Sequence, residues 1–343
     1  MVNQGIIRCI ALFILIGLIG CQPDLPQAPK TTGLPMKIAK YYWPGEYWKE
    51  IAEKKGWFKE AGLNVELIDT NPDYFQSLQD MVDGKMDSND FTLFDLTKYN
   101  AEGADLVGVI AMDNSWGIEG IIAKNEIKTV RNLKGKKIAV SKDTYLEYIL
   151  SVALKKAGLT LDDVITIDIP PRKVAEEFSK GTIDAVVTWE PYVEQTQAIE
   201  DENVHKIFNT AEIPGISPSL ETFHRSFIEE RPGDIQAFVG VWNKTVQFTK
   251  ENPKESLGII AQIYNQTPGE VEVFAQTVKI LDLRDNLTTF AFGSGFDSLH
   301  GSIRKINDFL IVKGIAKEQL DSTEFLDARF IRNLGRNSGP SVK

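Results

Sequence analysis

The sequence predicts an α/β protein of two lobes, each built on a mostly parallel sheet flanked by helices. Three observations point that way. A segment starting at Met36 recurs about one hundred residues later, starting at Lys136. Each copy alternates short apolar runs with amphipathic helical runs in the order β-α-β-α-β, a pattern that builds parallel sheets through right-handed crossovers. Irregular glycine-bearing stretches follow each copy's territory, where the chain can pass from one lobe to the other and back. A single larger doubly wound sheet is the competing arrangement.

The chain has 343 residues, enough for about two ordinary domains. Its first 20 residues stand apart. Arg8 is the only charge among them, and CIALFILIGLIG (residues 9–20) is continuously apolar. Such a run is too short to span a bilayer but suits the core of an export signal. It ends in LIGC, Leu18 to Cys21, which resembles the bacterial lipoprotein cleavage box. That resemblance implies removal of residues 1–20 and transfer of diacylglycerol to Cys21. An ordinary signal with an incidental cysteine is the alternative. Cys9 and Cys21 are the only 2 cysteines, so the processed body would carry neither a disulfide nor a cysteine metal site. Residues 21–35 contain 4 prolines and read as a tether.

Copy one opens with MKIAKYYWPGEYWKEIAEKKGWFKEAGLNVELID, and copy two with KKIAVSKDTYLEYILSVALKKAGLTLDDVITIDI. Each has a strand, a polar or aromatic loop, and a helix closing on KEAGL or KKAGL, where Gly suits the left-handed residue of a helix end. A second strand follows. Then QSLQDMVDGKMDSNDFTLF and KVAEEFSKGTIDAVVTWEP each supply a helix, a Gly, an Asp and a third strand. LVGVIA and GIIAK between the copies read as strands flanking a crossing near residues 113–118; a return follows near 209–217. Gly117 and Gly215 are available there as hinge residues. Beyond Ser226 the pattern is helical, with Ile235, Phe238, Val239, Trp242 and Val246 on one face. The expected division is lobe 1 at 36–115 and 216–343, and lobe 2 at 116–215.

In open α/β sheets ligands sit beyond the carboxyl ends of the strands. Facing lobes would bring several loops to one cleft. The candidates there are Trp43 and Glu46 in YYWPGEYW, Thr92 after SNDF, Asp113, Ser115 and Trp116 in MDNSWG, Thr144 and Tyr145 in SKDTY, and Trp189 and Glu190 in TWEPY. Asp90 and Glu119 are further carboxylates nearby, and Lys142 is the main cation. Many of the rings, Tyr42 and Trp48 first, could equally be core. Acids among aromatics favour an amine or an NH-rich ring, through cation–π contact and hydrogen bonds to Glu190 and Glu46. Sulfonate or nitrate calls for positive potential or several N–H donors.

The net charge of −10, with no long Lys/Arg run, excludes nucleic acid as a partner. The 3 histidines, His205, His224 and His300, form no metal-spaced pair. No Gly-x-Ser-x-Gly or Gly-x-x-x-x-Gly-Lys-Ser/Thr run occurs. No enzyme activity, metal or cofactor is therefore expected.

Taken in order, EKKGWFKEAGLNVEL, IKTVRNLKGKKIAV, ALKKAGLTLDDV, GTIDAVVTWEPY and the tail FLDARFIRNL resemble the substrate-binding proteins of ABC importers for nitrate, sulfonates, taurine and thiamine precursors. That family also includes yeast-type thiamine-pyrimidine synthases. The resemblance, over roughly residues 36–335, implies a type II periplasmic-binding-protein fold that closes on its ligand. It implies an exported, lipid-anchored monomer, held to the membrane, handing a small organic solute to a permease and ATPase complex. Trp189 and Glu190 of TWEPY would then face the cleft. A ligand-sensing receptor lipoprotein is the alternative. A pyrimidine-synthase-like enzyme is a further one, but a processed chain without cysteine cannot supply the Cys-rich iron motif of those relatives.

Overall fold

The computed structural model of the protein describes residues 30–199 and 204–337. The export signal, Cys21 and most of the tether lie outside the described residues. The tether's end is fastened to the body. Thr32 donates its backbone N–H and its hydroxyl to the Asp234 carboxylate, at 2.7 and 2.5 Å.

Among the described residues, eleven strands form two sheets. In chain order they are β1 (Pro35–Lys40), β2 (Asn64–Asp69), β3 (Ser88–Thr92), β4 (Leu106–Ser115), β5 (Glu119–Lys124) and β6 (Lys137–Val140). After these come β7 (Ile165–Asp168), β8 (Ala185–Trp189), β9 (Val204–Asn209), β10 (Pro218–His224) and β11 (Val278–Ile280). The first sheet runs β11-β4-β10-β3-β1-β2 and the second β7-β6-β8-β5-β9. The duplication is visible in the order: β2-β1-β3 and β7-β6-β8 are equivalent parallel triplets. Gly62 and Gly158 end equivalent helical stretches with φ of 75° and 78°, a conformation that costs glycine little.

The expectation of mostly parallel sheets is corrected. Three of the five neighbour pairings in the first sheet and two of the four in the second are antiparallel, so both sheets are mixed. In each lobe the strand that enters from the crossing, β5 or β10, runs against its triplet, while β4 and β9, which leave, run with theirs. β4 leaves lobe 1, β5 enters lobe 2, β9 leaves it, and β10 re-enters lobe 1 between β3 and β4. A strand joining a sheet from its carboxyl end must run against the triplet already there. β10 (PSLETFH) falls in a stretch to which the sequence pattern assigned no element.

Helices Pro232–Glu251 and Pro253–Tyr264 cover lobe 1. Trp242 and Phe238 are fully buried there, and Trp48 packs against Phe58 and Phe238 as core. Helix Leu299–Val312 lies on helix Leu93–Ala101 and reaches the second lobe. Phe309 and Phe94 meet Tyr148 at ring distances of 5.5 and 5.6 Å. Nearby, Lys313 bridges to Glu147 at 2.8 Å. The lobes thus touch along an apolar seam with an ion pair at its edge.

Beneath the strand tips of lobe 1 sits a buried ammonium. Lys49, fully buried, lies 2.9 Å from Glu221 on β10 and 3.3 Å from Glu46, and donates to the Ala39 carbonyl on β1 at 2.9 Å. Glu46 also accepts the backbone N–H of Tyr41 at 2.8 Å, and Glu221 accepts the Ser88 hydroxyl on β3. Breaking such a pair strands an uncompensated buried charge. Lys49→Met is expected to lower stability by about 3–5 kcal/mol in urea unfolding at neutral pH. Lys49→Met/Glu221→Leu should recover part of that loss.

Candidate functional site between the lobes

A narrow cavity of about 20 Å³ lies where the two sets of strand tips face each other. Its walls are Tyr41, Trp43, Tyr74, Asp90, Thr92, Ser217 and Ser219 from lobe 1 and the returning strand, with Glu119, Tyr145 and Trp189 from lobe 2. A hollow at the opposite end of the lobe 2 sheet, between Lys124–Lys128 and Phe178–Gly181, is lined by the end of β5 and the start of β9.

The aromatic walls are mutually braced. Trp189 stacks on Tyr145 with centroids 5.7 Å apart and an interplanar angle of 24°. Across the cleft it meets the edges of Phe75 at 5.9 Å and Tyr74 at 6.4 Å, and Tyr74 meets Tyr41 at 5.9 Å. Trp43 donates its indole N–H to Asp113 at 3.0 Å. The turn that carries Trp43 depends on Gly45, since a Cβ there would lie 1.7 Å from the Asp113 carboxylate. Any larger residue would push the ring out of the wall.

Strand register places the polar groups. Asp113, Ser219 and Thr92 form one row across β4, β10 and β3, and Glu221 and Asp90 are direct cross-strand partners in the next. Thr92 caps helix Leu93–Ala101, accepting the Asp95 N–H at 3.1 Å and donating to the Asp95 carboxylate at 2.6 Å. Tyr74 donates to the same carboxylate at 3.0 Å. On the opposite wall Glu119 accepts the hydroxyls of Ser115 at 2.8 Å and Thr210 at 2.9 Å. Burial pushes the Glu119 carboxyl up to about 7 and the Glu46 carboxyl to about 7, the latter against the pull of Lys49. Burial, then the charge of neighbouring acids, holds Asp90 well above the ordinary carboxylate range. Asp113 is held there too, chiefly by burial.

With this geometry, known proteins are informative. The NMT1/THI5-like family model matches residues 50–256. The chain belongs to the NMT1/THI5-like family. A Brucella abortus protein provisionally named a binding protein is 24% identical over 308 residues, covering 88% of this chain and 92% of its own. A Bacillus subtilis protein provisionally named for binding aliphatic sulfonates is 29% identical over 62% of this chain and 65% of its own. Among solved structures, the periplasmic aliphatic sulphonate binding protein of Escherichia coli superposes with a TM-score of 0.66 at 18% identity, over 85% of this chain and 91% of that one. The fold is the two-lobed periplasmic-binding-protein fold.

Within this family member, Trp43, Thr92, Tyr145 and Trp189 meet at the cavity. The other residues singled out from sequence take different places. Glu46 and Asp113 lie behind the wall, bonded to Lys49 and Trp43, and Ser115 holds Glu119. Trp116 is 46% exposed, outside the cavity. Thr144 caps helix Tyr145–Lys156 by accepting the Leu146 N–H, while Glu147 takes the Asp143 N–H, so this helix start is filled by its own side chains. Glu190 turns away: it caps helix Tyr192–Gln197 through the Glu194 N–H at 2.9 Å and lies 3.9 Å from Lys206. It lies in the turn just past the end of β8, where the Glu194 N–H holds its carboxylate over the start of the next helix.

Tyr41, Tyr74, Ser217 and Ser219 line the cavity without having been singled out. The Tyr41 position was readable, since it directly follows β1 beside Trp43. Ser217 and Ser219 required knowing that β10 re-enters between β3 and β4.

A carboxyl whose folded pKa is raised binds protons more tightly folded than unfolded. Its contribution favours folding at low pH and is lost as pH rises through the folded value. Raised from 4.5 to about 7, Glu119 and Glu46 therefore make the ligand-free protein less stable at pH 8 than at pH 5. In Glu119→Gln that difference should shrink by about 2–3 kcal/mol, read from urea unfolding at the two pH values.

Proposed function

We propose that this protein is an extracytoplasmic, Cys21-anchored solute-binding protein that captures a small organic cation or NH-rich heterocycle, of the amine or thiamine-precursor type. It closes its two lobes on that solute and hands it to an ABC permease and ATPase. Relatives named for binding, for aliphatic sulfonates and for taurine support the carrier role. The observation that carries the solute class is the lining: two carboxylates, Asp90 from one lobe and Glu119 from the other, among five aromatic rings, with no Lys, Arg or His in the wall. A cation over a ring face gains about 0.5–2 kcal/mol per contact, and more in a desolvated site. A sulfonate would meet the same carboxylates with no compensating cation. Among the described residues, no group of three or more His, Cys, Asp or Glu could hold a metal ion.

Lobe contacts made by one solute favour the closed form only as far as it binds that form better than the open one. Asp90 and Glu119, on opposite lobes, meet that condition together. Gly117 and Gly215, with φ of 105° and 82°, lie at the two crossings.

Calorimetry with choline, 1,4-diaminobutane, thiamine and its aminopyrimidine half, against taurine, methanesulfonate and nitrate, tests the solute class. At least one of the cations or heterocycles is expected to bind at micromolar or tighter Kd. Tight binding of the sulfonates with none of the cations would reverse the assignment. Scattering should show the radius of gyration of Lys313→Met increase without ligand and return to the wild-type value with it, because the seam loses its ion pair to Glu147.

A further inference from the structure

We propose that Asp90 selects the charge of the solute by exchange: it carries a proton in the ligand-free cavity and surrenders it when a cation enters. The proposal rests on the solute class above and names the atom that enforces it. No covalent bond is made or broken. The proton passes to solvent as the ligand's positive charge takes its place, so the charge of the site is unchanged.

Counting charges behind the wall leads there. Four carboxylates of lobe 1, those of Glu46, Asp90, Asp113 and Glu221, cluster around one ammonium, Lys49. Lys49 is in contact with Glu46 and Glu221. Asp113 has the Trp43 indole N–H, and Glu221 has the Ser88 hydroxyl. Asp90 is 6% exposed, and its Oδ1 is buried with no hydrogen-bond partner. It also stands directly across from Glu221 in the β3–β10 register, a like-charge opposition that ordinarily destabilises a sheet. A second unpaired negative charge in that place would cost several kcal/mol, whereas a neutral carboxyl costs far less.

The remaining groups facing Asp90 do not relieve it. Tyr74 and Tyr145 are held un-ionised by burial. Asp95, buried behind Thr92 and Tyr74, and Glu119, on the opposite wall, are acids bonded to hydroxyls of their own neighbourhoods. Asp113 shares the unfavourable surroundings, but it is fully buried behind Trp43 and does not line the cavity. Within the cluster, Asp90 is the acid an entering cation can touch.

Two readouts test this. The first needs no ligand. Carbon-13 NMR of protein labelled at the aspartate side-chain carboxyl should show, at pH 7, a protonated resonance that is missing from Asp90→Asn. Its absence from the wild type, or its persistence in Asp90→Asn, overturns the proposal. The wild-type half stands even if the variant does not fold. The second uses the tightest binder among choline, 1,4-diaminobutane and thiamine. In weakly buffered solution its binding should release about one proton, and its affinity should rise up to tenfold per pH unit while Asp90 is protonated. At pH 8, where Glu119 is largely ionised, Asp90→Asn should abolish the release and weaken the cation at least tenfold. Release that survives in Asp90→Asn but vanishes in Glu119→Gln would move the exchange to the other lobe and refute the assignment. If none of the cations binds, the solute class fails, while the NMR result still decides the protonation state of Asp90.

Discussion

A single buried ammonium organises the ligand-facing half of lobe 1. Lys49 ties the end of β1, the turn after it and β10 to one point through Ala39, Glu46 and Glu221. Glu46 in turn holds the backbone of Tyr41, and Glu221 holds Ser88 on β3. Tyr41, Trp43, Asp90 and Ser219 are all within a few residues of those anchors. Removing charge from water costs several kcal/mol per ion, so such a network is poor at adding net stability. What it does provide is a rigid frame: each carboxylate has few ways to be satisfied, and each restricts where a strand or turn can lie.

The same network leaves the cavity electrostatically biased. It brings more acids than bases to a water-poor place, and the excess can be relieved by protons or by a cationic guest. Aromatic walls suit that guest, because ring faces attract positive charge while burying large apolar area. The second lobe adds Glu119 and the Tyr145–Trp189 stack. Neither lobe alone encloses the cavity, so in the proposed function recognition and closure are two descriptions of one event. The apolar seam of Phe94, Tyr148 and Phe309 lies outside the cavity and brings the lobes together independently of any solute.

Much of this was legible beforehand. The duplicated β-α-β-α-β units and their glycine stops follow from hydrophobic period and turn chemistry, which act locally and leave their mark on neighbouring residues. The aromatic loops after the first strand of copy one and the third of copy two could be read from the same pattern. Strand direction across the whole sheet could not. β4 and β10 pair across more than a hundred residues of chain, with no local signal to join them, and β11 is too short to read. The place of Glu190 was equally hard to read. Its neighbours in TWEPY suggested a binding carboxylate, but its direction follows from the turn after Trp189 and from the Glu194 N–H it accepts.

The sequence by itself determined that the chain folds as two related α/β units with aromatic and acidic loops at matching strand tips, because periodicity and glycine placement are properties of consecutive residues. Which acids line the cavity, and which are spent on Trp43, Lys49 or a helix cap, only the tertiary structure decided. Ionisable side chains acquire their roles from burial and from partners far away in sequence, as Asp90 does from Glu221, and no local pattern encodes that pairing.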